Sequence, residues 1–91
     1  MKIIWTRHAE DRQKEWERKL GITRQEVEDI LRNPEQMVAG DKDIMVAQSR
    51  RGNGLLRVAF DDVEGDRKVL TLYWTSKVVK YWGEEKNENT I

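Results

Sequence analysis

Three short clusters of turn-forming residues cut the second half of this chain into four apolar, β-prone segments: GDKD at 40–43, RRGNG at 50–54 and DVEGD at 62–66. Connections this short suit antiparallel hairpins, because a parallel pair needs a crossover of a dozen residues or more. The segments are MVA (37–39), IMVAQS (44–49), LLRVAFD (55–61) and RKVLTLYWT (67–75). Strand alternation puts Leu56, Val58 and Phe60 on one face of the third segment. In the fourth it puts Leu70, Leu72 and Trp74 on one face and Thr71, Tyr73 and Thr75 on the other. The stretch SKVVKYW (76–82) fits either a short helix or an edge strand.

Residues 2–5 are β-prone and read as a short buried strand. A helix follows from about Arg7 to Lys19, with Thr6 placed to cap it. Its apolar stripe is sparse: Ala9, Trp16 and Leu20, with Arg12 and Gln13 occupying the missing turn. Gly21 stops it. In ITRQEV, Thr23 and Glu26 have the spacing of a capping box, and Ile22 and Val27 that of a hydrophobic staple. This predicts a second helix from about Arg24, with Val27, Ile30 and Leu31 buried and Asn33-Pro34 at its end. The expected fold class is α+β, in the order β-α-α-β-β-β(-β), with two helices on one face of a mostly antiparallel twisted sheet. The other face is expected to be partly solvated and open to a site.

A chain of 91 residues is one domain. Residues 1–83 read as the globular part, and 84–91 as an acidic, polar, disordered tail. Charged and hydrophobic residues are equally frequent at 37% each, so the core is thin. The absence of cysteine excludes disulfides, thiolate metal sites and a cysteine nucleophile. It favours a reducing, cytoplasmic setting. No apolar run approaches a membrane span. The formal net charge of zero argues against strong nonspecific binding to nucleic acid. The charge is unevenly placed, however: Arg50, Arg51 and Arg57 fall in an acid-free stretch from Ile44 to Phe60, and Asp61, Asp62, Glu64 and Asp66 follow at once.

The element order, with TRHAEDR, GITRQEVEDILRNPE, LLRVAF and VLTLYWTSK, resembles the small bacterial family catalogued as domain of unknown function 4258. The resemblance covers roughly residues 3–80. By fold analogy that family is similar to the RelE/ParE toxin superfamily, which includes ribosome-dependent mRNA endonucleases and gyrase poisons. The resemblance implies a toxin of a toxin–antitoxin pair, with RNA or the ribosome as target and an antitoxin protein as partner.

His8, the only histidine in the chain, opens the first helix. Histidine is suited to general acid/base work because its ordinary titration range spans neutrality. Arg12 lies one turn on, on the same helix face, where a guanidinium can hold a phosphate. The alternative is that His8 packs locally and Arg12 pairs with Glu15 or Glu10. Arg57, flanked by apolar residues, either faces a cleft as a phosphate ligand or covers apolar surface with its stem. Thr71 and Tyr73 can offer a hydroxyl and a stacking ring, or simply pack across strands. Arg50 and Arg51, in the glycine-rich hairpin loop, and Lys77 and Lys80, beside the aromatic pair Tyr81-Trp82, can grip nucleic acid. That pair reads as exposed, and can instead dock a partner. Trp5, Trp16 and Trp74 read as core. One histidine without companion ligands does not build a zinc site, and neither a Walker loop nor a nucleophile elbow occurs.

The leading expectation is therefore a toxin-like endoribonuclease without metal or other cofactor. His8 acts as acid/base, Arg12 and Arg57 hold phosphate, and Thr71 or Tyr73 donates a hydroxyl. The alternative is a non-catalytic protein-binding module with an exposed apolar patch around Val78, Val79 and Trp82.

Overall fold

The computed structural model describes residues 1–83; the tail expected at 84–91 lies outside the described residues. The chain runs β1 (Ile3–Trp5), α1 (Arg7–Leu20), α2 (Arg24–Arg32), β2 (Gln36–Ala39), β3 (Met45–Arg51), β4 (Gly54–Val63), β5 (Asp66–Thr75) and α3 (Val78–Tyr81). The strands form one sheet in the order β1-β5-β4-β3-β2. The three hairpin pairs are antiparallel, and β1 joins β5 in parallel. This is an α+β fold with two main helices packed on a mixed, mostly antiparallel sheet.

Local chemistry sets the helix ends. The Thr6 hydroxyl accepts from the Ala9 N–H at 3.1 Å, and the Thr23 hydroxyl accepts from the Glu26 N–H at 3.1 Å. Gly21 ends α1 at φ 72, a left-handed conformation that costs glycine nothing. Gln13 fills the gap in the α1 stripe. It is 5% exposed and its amide donates to the Ile22 carbonyl at 2.9 Å, so a polar residue ties the helix to the following turn.

Ala9, Ile22, Val27 and Leu31 from the helical half meet Ala47, Leu56, Val58, Phe60, Val69 and Leu72 from the sheet in one core. Val69 stands where alternation placed Leu70. The register slips between Ala59 and Phe60, pairing Ala59 with Thr71 and Phe60 with Val69, so Leu70 is an extra residue in a β-bulge. Gly54 is buried where β4 leaves the turn. A Cβ there would overlap the Thr75 carbonyl oxygen and the Trp74 ring. The segment 76–82 resolves to a short helix, α3, rather than an edge strand.

Candidate functional site

The face of the sheet turned away from α1 and α2 carries a polar row built by strand register. Gln36 pairs with Gln48, Gln48 with Arg57, and Arg57 with Tyr73, one residue from each of four adjacent strands. Alternation explains the row: Ala47, Leu56, Val58 and Leu72 face the helices, so their strand neighbours face the other way. The Gln48 amide donates to Gln36 Oε1 at 2.5 Å, and its Oε1 accepts from Arg57 Nε at 2.8 Å. Arg57 Nη1 donates to the Tyr73 hydroxyl at 2.6 Å.

This face is covered rather than open. Residues after β5 fold back across it. The Tyr81 carbonyl accepts from Gln48 at 3.2 Å, and the Gly83 N–H donates to Gln36 Oε1 at 2.8 Å. The Arg57 guanidinium lies 4.0 Å from the Tyr81 ring centroid, and that of Arg50 lies 4.8 Å from the Trp82 centroid. Tyr73 and Tyr81 meet edge to face at 6.4 Å. Beneath this cover Gln48 is fully buried and Arg57 is 7% exposed. The partial solvation expected of this face therefore holds at the ends of the row, where Gln36 and Tyr73 are half-buried, and not at its centre.

The two tyrosines are shifted in opposite directions. Burial raises the Tyr73 phenol above its ordinary value, with the Arg57 charge pulling the other way. Tyr81 is lowered, chiefly by its hydroxyl's hydrogen bond with Tyr73. Ionisation is thus made harder for Tyr73 and easier for Tyr81.

His8 sits at the margin of the same face. Thr6 fixes it there, donating its hydroxyl to the Val69 carbonyl at 2.8 Å while it caps α1. The helix therefore starts against β5, just past the end of β1. His8 Nε2 then lies 3.3 Å from Thr71 Oγ1, an exposed contact whose donor follows the imidazole tautomer. Thr71 is two residues from Tyr73 on one strand face, about 6.5–7 Å away by strand rise.

The remaining residues proposed from sequence fall elsewhere. Arg12 turns along its own helix to Glu15 at 3.2 Å. Arg50 and Arg51 are not in the loop; they end β3, and the turn is Gly52-Asn53. Arg51 binds Glu26 at 2.9 Å and donates to the Leu20 carbonyl at 2.9 Å, tying the hairpin to the helices. Lys77 and Lys80 are exposed, with Lys80 Nζ 5.2 Å from the Tyr81 centroid. Tyr81 and Trp82 are half-buried on arginines rather than exposed. Trp5, Trp16 and Trp74 pack against the core as expected. Gln36 and Gln48 were not singled out from the sequence. Their only signal there is a polar residue interrupting an apolar strand.

A groove of about 410 Å³ lies between α2 and the end of β3, lined by Glu26, Asp29, Arg32, Ser49 and Arg51 among others. Among the described residues, no cluster of His, Asp and Glu is arranged to hold a metal ion, and no helix is long and apolar enough to cross a membrane.

The β-α-α-β-β-β-β topology defines the class: an α+β fold compatible with the RelE-like arrangement. No family model, curated protein or solved structure matches the chain.

Proposed function

We propose that the protein is a toxin-type endoribonuclease, related to the domain of unknown function 4258 family and to RelE/ParE-like toxins, that cuts RNA by acid/base catalysis in bacterial cytoplasm. The observation that carries this reading is the 3.3 Å contact between His8 Nε2 and Thr71 Oγ1, on the strand face that also holds Tyr73 and Arg57. His8 takes the proton of a ribose 2′-hydroxyl, and O2′ attacks the adjacent phosphorus. The P–O5′ bond breaks, leaving a 2′,3′-cyclic phosphate and a 5′-hydroxyl. Tyr73 supplies the proton to O5′, and Arg57, 2.6 Å from its oxygen, stabilises the phenolate that results. Thr71 orients the imidazole. The positive end of the α1 dipole favours the phosphate.

The test uses purified protein, single-stranded RNA and excess EDTA, with the product ends identified. Wild type yields cyclic-phosphate and 5′-hydroxyl ends. His8→Ala loses about 10²–10⁴ in rate, the range general acid/base groups contribute. Induced expression of wild type, not of the variant, arrests growth with new transcript ends. No cleavage by folded wild type, with RNA alone or with ribosomes, refutes the reading.

The second reading, a protein-binding module, has one observation in its favour: Val79 is 91% exposed, beside half-buried Val78 and Trp82. Growth arrest without new RNA ends would favour it.

A further inference from the structure

The segment from Val78 to Gly83 is attached to the sheet in an unusual way. Its single helical turn is too short to be stable alone. Its N-cap, Lys77, makes no side-chain capping bond. Val79 contributes almost nothing to burial, being 91% exposed. The attachments to the sheet face among the described residues are mostly polar or cationic: Gln48 to the Tyr81 carbonyl, the Gly83 N–H to Gln36, Arg57 on Tyr81, and Arg50 on Trp82, with one aromatic contact, Tyr81 on Tyr73. A segment with so few apolar anchors belongs to the part of a fold that opens first. Among the described residues, its contacts with the sheet face go to the polar row and to the arginine beside it.

We propose that residues 78–83 form an autoinhibitory strap, which must lift for a single-stranded RNA to reach Arg57 and Tyr73. The proposal rests on the nuclease reading and deepens it, since the groups the strap engages are those the reaction uses. Closed, it occupies the Arg57 guanidinium face with the Tyr81 ring and the Arg50 face with the Trp82 ring. It also engages the Tyr73 hydroxyl, the proton donor to O5′, through Tyr81. Lifting it uncovers two arginines for the phosphates and frees that hydroxyl. RNA and strap then compete for the same surface, so weakening the strap strengthens RNA binding by linkage.

The opposite role for the same residues predicts the opposite sign. If Tyr81 and Trp82 were a platform on which bases stack, removing them would weaken binding. The experiment is therefore binding of a fluorescent single-stranded RNA oligonucleotide at fixed low salt. Wild type is compared with Tyr81→Ala/Trp82→Ala, with circular dichroism confirming the fold. Neither residue lies in the helix-side core, so the substitutions leave that core intact. The expected result is about ten-fold tighter binding and faster cleavage, the gain from removing a strap that is open about a tenth of the time. Weaker or unchanged binding overturns the proposal.

Hydrogen exchange separates this from failure of the nuclease reading. The Trp82 and Gly83 amides bond Val78 and Gln36. In the wild type they are protected, and Gln36→Leu removes the protection at Gly83. If neither amide is protected, there is no strap and the proposal falls, whatever RNA does. If both are protected but neither protein binds RNA, the nuclease reading and the gating role fall together, and a closed structural cover remains.

Discussion

Replacing Arg57 by methionine, alone and together with Gln48→Met, measures whether the polar row is a closed network or a set of side chains loosely laid on a sheet. Arg57 gives Nε to Gln48 and Nη1 to Tyr73, and stacks on Tyr81. Hydrogen bonds to charged groups contribute about 1.5–3 kcal/mol each. Methionine recovers part of the packing, so Arg57→Met should cost about 3–5 kcal/mol, the worth of its two bonds less the packing regained. Gln48→Met loses the same Nε bond, at about 2–3 kcal/mol. The double variant loses that bond once, so the two costs do not add. The coupling is about 1.5–3 kcal/mol, the worth of the shared bond. Other contacts of Arg57 raise its single cost but cancel in the cycle. The assay is urea unfolding of all four proteins with a common slope. A coupling below about 0.5 kcal/mol would mean that the Arg57 side chain swings into solvent, and the closed row would be refuted.

Gly54→Ala should cost about 2–4 kcal/mol, because the new methyl drives into the Thr75 carbonyl and the Trp74 ring and threatens the 2.9 Å bond from Trp74 Nε1 to the Arg51 carbonyl; a thermal midpoint within a few degrees of wild type would contradict it. Glu64 sits at φ 53 beside Gly65 at φ 88 in a two-residue hairpin turn, so Glu64→Gly should stabilise by about 0.5–1 kcal/mol in the same unfolding assay, since both central positions want a positive φ. The chain has only two tyrosines, so absorbance near 295 nm resolves their titration: Tyr81 ionises first and Tyr73 later, and Tyr81→Phe lets Tyr73 titrate lower by removing a hydrogen bond that raises it. The linkage signs follow: Tyr81, lowered in the fold, adds stability as pH rises through its folded pKa towards the ordinary tyrosine value. Tyr73, raised, removes stability as pH climbs from that value towards its own.

What could be read in the sequence was local. The Thr23 cap, the Gly21 stop and the three turns depend on residues a few positions apart, and the structure has each within its expected cluster, with the second and third turns tightened to Gly52-Asn53 and Glu64-Gly65. The bulge at Leu70 was not readable, because Val69 and Leu70 are both apolar and either register leaves an apolar residue facing the core. The helix α3 was ambiguous for the same reason: without a cap or an apolar stripe, it exists through contacts with strands far away in sequence. The row is the clearest case. Its bonded pairs are separated by 12, 9 and 16 residues, and nothing in IMVAQS says that Gln48 will face Arg57 until the hairpin register is fixed. His8 could be nominated because its chemistry is rare in this chain. Gln36 and Gln48 could not, because glutamine on a strand is ordinary until a guanidinium lies across from it. The two kinds of residue also predict different failures. Losing a rare acid/base group should remove activity and leave the fold, whereas losing a register-placed amide should loosen Arg57 and the strap together. Comparing His8→Ala with Gln48→Met therefore separates chemistry from the scaffold that holds it.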